Sequence, residues 1–242
     1  MFNNLFVVFK KEFRSYFLSR MVWFVFVSFS LFMVTGFFLY PDAGNMPEAE
    51  LLPFFKMQLN LLVFVIPALS IKIWSDEKKQ GTIELILSLP ISYMVLTIGK
   101  FLALWSLCGL MILSTCGTWL LYAWLCGVNN SVVLVNYLFL WLACGGLCAL
   151  SMLASAFTEY PVSAYVVSLA VCLLIVMTNI SDLILGGDAT EVVILAGDSL
   201  SFRYNFLNLI AGRITLSGIF YFLSMIMLSL WANVVVIGWR RK

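Results

Sequence analysis

Six long apolar runs constrain this chain more than anything else in it. They lie at about 21–40, 57–74, 92–125, 134–157, 162–185 and 216–238. About 20 mostly apolar residues coil into a helix as long as the bilayer hydrocarbon is thick. Lipid offers no water to the backbone, so each run must close its hydrogen bonds internally, as a helix. The expected fold is therefore all-α: a polytopic membrane protein with six transmembrane helices. Composition agrees, with 63% of the 242 residues hydrophobic and only 11% charged. Soluble domains stand nearer half and a quarter. Too little polar sequence is left for a separate aqueous domain, so residues 1–242 read as a single transmembrane unit.

Two runs carry more detail. The first is long enough to span and no small-residue cleavage site follows it, so it reads as a span and not a cleaved leader. The third, 92–125, is longer than a bilayer requires and must tilt, break or project.

Residues 1–20 precede the first span. Phe2, Leu5, Phe6, Phe9, Phe13, Tyr16 and Phe17 recur at helical spacing, and Lys10, Lys11 and Arg14 lie away from that face. The pattern predicts an amphipathic helix in the headgroup layer, aromatic side down, its cations anchoring it to anionic lipid. Lys100, near the inner end of the third run, reads as another interfacial anchor whose stem can snorkel.

Cations set the orientation. With a cytoplasmic N-terminus, the inner segments hold Lys10, Lys11, Arg14, Arg20, Lys72, Lys78, Lys79, Lys100, Arg240, Arg241 and Lys242; the outer ones hold only Lys56, Arg203 and Arg213. An even number of spans then places both termini in the cytoplasm. The outer loop 41–56, with Pro41, Pro47 and Pro53, reads as irregular. The outer segment 186–215 reads as short helices: Phe202, Phe206, Leu209 and Ile210 form a stripe that Gly212 can cap. The inner "FTEYP" at 157–161 reads as a tight turn.

Reactive chemistry is sparse. The chain has no histidine, which removes the commonest general base and metal ligand. The phosphate-binding pattern GxxxxGK[ST] is absent: "GKF" at 99–101 lacks the hydroxyl residue, and Met94 stands where the first glycine belongs. No catalytic residue, metal site or bound cofactor is expected. The six cysteines fall in or beside apolar runs, and Cys144 and Cys148, one turn apart, are the one pair of note. Asn60, Asn179 and Asn233 are the polar residues at interior levels, too few for a charged midplane carrier site. Gly145 and Ala149 give the fourth run a small-residue face suited equally to internal packing or to a dimer.

The densest charge lies in "WSDEKKQGTIELILSLP", residues 74–90. Thr82 can cap a short helix with Glu84 in its first turn, apolar surface follows from Ile83 to Leu89, and Pro90 ends it. On these residues alone, an interfacial loop helix with a solvated charge run and a partner-docking element fit equally.

The longer segment "SDEKKQGTIELILSLPISYMVLTIGKFLA" resembles the signature region of ABC-2 type transporter permeases. It is especially similar to the small six-span permeases related to gliding-motility and copper-processing ABC systems. The matching positions are Glu77, Gly81, Thr82, Glu84, Leu85, Leu87, Pro90, Ser92, Gly99 and Lys100. "FKKEFRSYFLSR" and "SFRYNFLNLIAGRITLSGIFYFLSM" resemble that family's start and end. The resemblance implies a permease in a bacterial inner membrane, paired with a second permease, identical or homologous. Two soluble ATPase subunits, carrying ATP-Mg, would dock below it. It implies that 76–90 is a cytoplasmic coupling helix between spans two and three, with Glu77, Gly81, Thr82, Glu84, Leu85, Leu87 and Pro90 at the ATPase docking site. Export is the family's usual direction. No nucleic-acid partner is implied. A membrane scaffold that holds partner subunits without transporting anything is the alternative reading.

Overall fold

The computed structural model describes residues 2–38, 52–82, 92–126, 130–177 and 200–239. Among them the chain is helical throughout: α1 Phe2–Phe17, α2 Arg20–Phe38, α3 Leu52–Lys79, α4 Tyr93–Ser114, α5 Cys116–Cys126, α6 Asn130–Phe157, α7 Pro161–Met177, α8 Phe202–Ile210 and α9 Leu216–Trp239. Four stretches are long and apolar enough to cross a membrane: α3, α4 with the start of α5, α6, and α9. A fifth exists if α1 and α2, bent by 71° at their junction, count as one span. The expected fifth run corresponds to α7, a shorter apolar helix. The rest of that run, and the expected outer segment up to residue 199, lie outside the described residues.

The bundle is organised around α6, which packs on α3, α4, α7, α8 and α9. Small residues make that possible. A Cβ on Gly145 would sit 3.0 Å from both Trp105 Nε1 and Ile226 Cδ1, and one on Gly146 would collide with Met225. The small-residue face thus serves packing within the chain. Against it, Trp105 and Trp141 stack at 4.3 Å, and each indole donates to the other's carbonyl at 2.8 and 3.2 Å. The Cys108 and Cys148 thiols, on α4 and α6, meet at 3.6 Å. They are thus not the Cys144–Cys148 pair that spacing along one helix suggests.

The long third run breaks at Thr115, between α4 and α5. There the Thr115 hydroxyl donates to Ile112 O at 2.6 Å and accepts from Gln58 Nε2 at 3.0 Å, with Tyr137 Oη 3.1 Å away. Gln58 is thus the buried amide of α3, while Asn60, expected inside, is exposed. Asn233 is fully buried as expected, and its amide has no hydrogen-bond partner among the described residues. Asn179 lies outside them. The helix expected at Phe202 forms, burying Phe202, Phe206, Leu209 and Ile210, and ends at Gly212, whose φ of 79° suits a residue without Cβ. "FTEYP" is a short link between α6 and α7.

Two expectations about element boundaries change. Helix α3 starts at Leu52 with Pro53 in its first turn, where a missing N–H costs nothing, so Pro53 belongs to a helix and not to an irregular loop. At its other end α3 continues to Lys79, straight through the charge run. It stops at Gly81, with φ of 69°, whose N–H donates to Lys78 O.

Candidate functional site

Helix α1 presents three faces. Val8, Glu12 and Tyr16, at helical spacing, turn toward α4 and α3, with Val8 and Tyr16 buried. The aromatic stripe Phe6–Phe9–Phe13–Phe17 runs along a flank and continues over the bend to Trp23, 5.9 Å from Phe17. Its two end rings, Phe6 and Phe17, are exposed, as a lipid-facing stripe would be. Tyr16 departs from the sequence expectation: it leaves the stripe and its hydroxyl reaches toward Leu69 O, 3.5 Å away. Lys10, Lys11 and Arg14 lie on the third, exposed face.

The inward face of α1 leads to the one buried ammonium among the described residues. Lys100 on α4 is 1% exposed. Its Nζ donates to Glu77 Oε1 at 2.5 Å and to Ile73 O at 3.0 Å, and stands 3.5 Å from Glu12 Oε1. It also lies 4.8 Å from the centre of the fully buried Trp74 ring. An unpaired ammonium in such a place would be very costly. Here two carboxylates, a carbonyl and an aromatic face compensate it together. The expected snorkelling anchor is therefore a clamp: Lys100 points inward because α1 and α3 bring it Glu12 and Glu77.

The neighbouring positions serve the same junction. A Cβ on Gly99 would come within 2.7 Å of Val8 Cγ1, so glycine lets α1 lie close against α4. Ser92 caps α4, its hydroxyl accepting from Val95 N at 3.4 Å. Lys78 donates to Ala156 O at 2.5 Å and Thr158 O at 2.8 Å, capping the carbonyl end of α6. Thr82 donates back to Glu77 O at 3.2 Å. Lys72 reaches Ser19 in the α1–α2 link. The charge run is therefore only partly solvated: Glu77 and Lys78 are fasteners, and Lys79 is exposed.

Of the expected docking residues, Glu77 turns inward, Gly81 and Thr82 shape the end of α3, and Glu84, Leu85, Leu87 and Pro90 lie outside the described residues. Sequence reasoning missed Glu12. A signal existed: it is the only acidic residue before Asp42, and it lies one turn from both Val8 and Tyr16. The arrangement joins two carboxylates to one ammonium, a carbonyl and an aromatic face. What it can do is mechanical, tying three helices at the point where the chain leaves α3.

The sequence profile of a family described as "ABC-2 family transporter protein" matches residues 9–179. That range includes Glu12, Glu77 and Lys100. No curated protein matches the chain.

Proposed function

The chain belongs to the ABC-2 family of transporter proteins, and from that premise we propose that it is the permease subunit of an ATP-driven exporter, moved by a separate ATPase that docks on segment 76–90. Members of the family are membrane subunits and not the ATPase, so the motive force enters from a partner. Two ATPase subunits carrying ATP-Mg and a second permease, identical or homologous, complete the complex. Six spans follow from the apolar runs and a bacterial inner membrane from the family resemblance, and cytoplasmic termini are the orientation that the cation distribution supports. Lys10, Lys11 and Arg14 anchor α1 at the inner interface.

One observation carries the coupling part of this reading. The segment that follows Gly81 leaves α3 one turn beyond Glu77, and Glu77 is bound to Lys100 of α4 and, through it, to Glu12 of α1. A push that reaches the end of α3 is shared by three helices through one charged junction. Within it, Glu77 acts through Lys100, and contact with the ATPase falls to Glu84, Leu85, Leu87 and Pro90.

The test is co-purification in mild detergent. A nucleotide-binding subunit should accompany the chain, and Glu84→Lys should weaken that association or transport while leaving membrane insertion intact. Isolation with no such subunit would refute the transporter reading. Normal transport by the Glu84 variant would remove that residue from the docking site.

A further inference from the structure

The exposed face of α1 does more than carry charge. Together with the α1–α2 link and Lys72 of α3 it walls a cavity of about 760 Å³. Four cations line it: Lys10, Lys11 and Arg14 from α1, and Lys72 from α3. No acidic residue is in the wall. The nearest described acids are engaged elsewhere or stand outside it: Glu12 lies 3.9 Å from Lys11 but 3.5 Å from the buried Lys100, and Asp76 follows Lys72 by one helical turn. Such a concentration of one sign calls for an anion.

The remaining lining says which kind. Ser15 and Ser19 add hydroxyls, and Ser19 is already in hydrogen-bond contact with Lys72, which fixes one cation against the link. Val7, Leu18 and Phe6 complete the wall, and all three are largely exposed apolar side chains. Along α1 the apolar side chains flank the cations, Phe6 and Val7 before them and Leu18 after, so a phosphate held by the cations would have hydrocarbon partners beside it. A small inorganic anion would leave the apolar part without a partner. The bend of 71° between α1 and α2 creates the concavity, since a straight helix would carry Leu18 and Ser19 away from Lys72.

We infer that this cavity is a site for one anionic phospholipid, with its phosphate held by Arg14, Lys10, Lys11 and Lys72 and its acyl region against Val7, Leu18 and Phe6. The inference needs only that the chain is a membrane protein, and it stands apart from the ATPase reading. It differs from diffuse anchoring because Lys72 belongs to another helix. Occupancy would brace the angle between α1 and the bundle.

Native mass spectrometry of the full chain in non-ionic detergent tests this, after exchange with defined phosphatidylglycerol, phosphatidylcholine or inorganic phosphate. Phosphatidylglycerol should be retained at one tightly held copy per chain, with phosphatidylcholine retained markedly less. Each cation near a lipid surface contributes about fivefold in affinity. Lys72→Gln and Arg14→Gln should therefore each weaken retention about fivefold, while Arg203→Gln, on α8, should not change it. A melting scan of each variant confirms that it is folded. Equal retention of the two lipids, or unchanged retention in Lys72→Gln, overturns the site. Stabilisation by inorganic phosphate with none from phosphatidylglycerol overturns the lipid assignment.

Discussion

Lys100 and Glu77 meet at 2.5 Å although α3 ends and a new helix begins between them. The contact joins the last turn of α3 to the second turn of α4, and Glu12 of α1 joins from a third side.

Removing the cation should be the most damaging single change. Lys100→Met removes the ammonium shared by Glu12 and Glu77 and leaves only the exposed Lys11 near Glu12, and breaking a buried pair from one side costs about 3–5 kcal/mol. The double variant Glu77→Leu with Lys100→Met should recover part of that loss. Apparent melting temperatures in detergent measure both. A Lys100→Met protein that melts like the parent would contradict the clamp.

Gly99 should tolerate no side chain while Val8 is present. Gly99→Ala forces Val8 or the whole of α1 to move, a strain of about 1–3 kcal/mol. Val8→Ala removes the colliding methyl groups, so the pair should be less destabilised than the sum of its singles. Strict additivity in the cycle would show that the two residues do not meet.

The two lysines at the end of α3 should behave differently. Lys78→Met loses the charged cap on α6 and should cost about 1 kcal/mol, up to about 2 in a partly buried setting. Lys79→Met, at an exposed position, should fall within about 0.5 kcal/mol of the parent. Equal effects would mean that Lys78 is not held by the α6 carbonyls.

The paired indoles give a fourth expectation. Trp105→Phe keeps the stack on Trp141 but leaves the Trp141 carbonyl without its 2.8 Å donor, a loss of about 1 kcal/mol. Trp141→Phe should cost a similar amount at the 3.2 Å bond, and the double variant less than both together. Melting temperatures of the three variants settle this.

Much of the fold was legible in the sequence. The run at 216–238 became α9 Leu216–Trp239, and the stripe from Phe202 to Ile210 became a buried helical face. The overlong third run is interrupted at Thr115, one of the outcomes its length allowed, although Tyr93–Leu121 still forms one span. Less of the site was legible. The pattern that carried Gly99 and Lys100 was visible, but the reason for it was not. Glycine there means room for Val8, a residue of the first helix, and lysine means two carboxylates from two other helices.

By itself the sequence determined that the chain is helical, that it belongs in a membrane, and where most helices lie. Those properties are local: they depend on runs of apolar side chains and on caps that neighbouring residues supply. Only the tertiary structure decided which face of α1 turns inward and which cysteines meet. It also decided whether a charge is solvated or buried. Helical periodicity tells which residues share a face and nothing about what that face touches. A lysine at the edge of an apolar run can snorkel toward lipid or turn toward carboxylates, and the positions of the other helices make that choice. For Lys100 they made it inward.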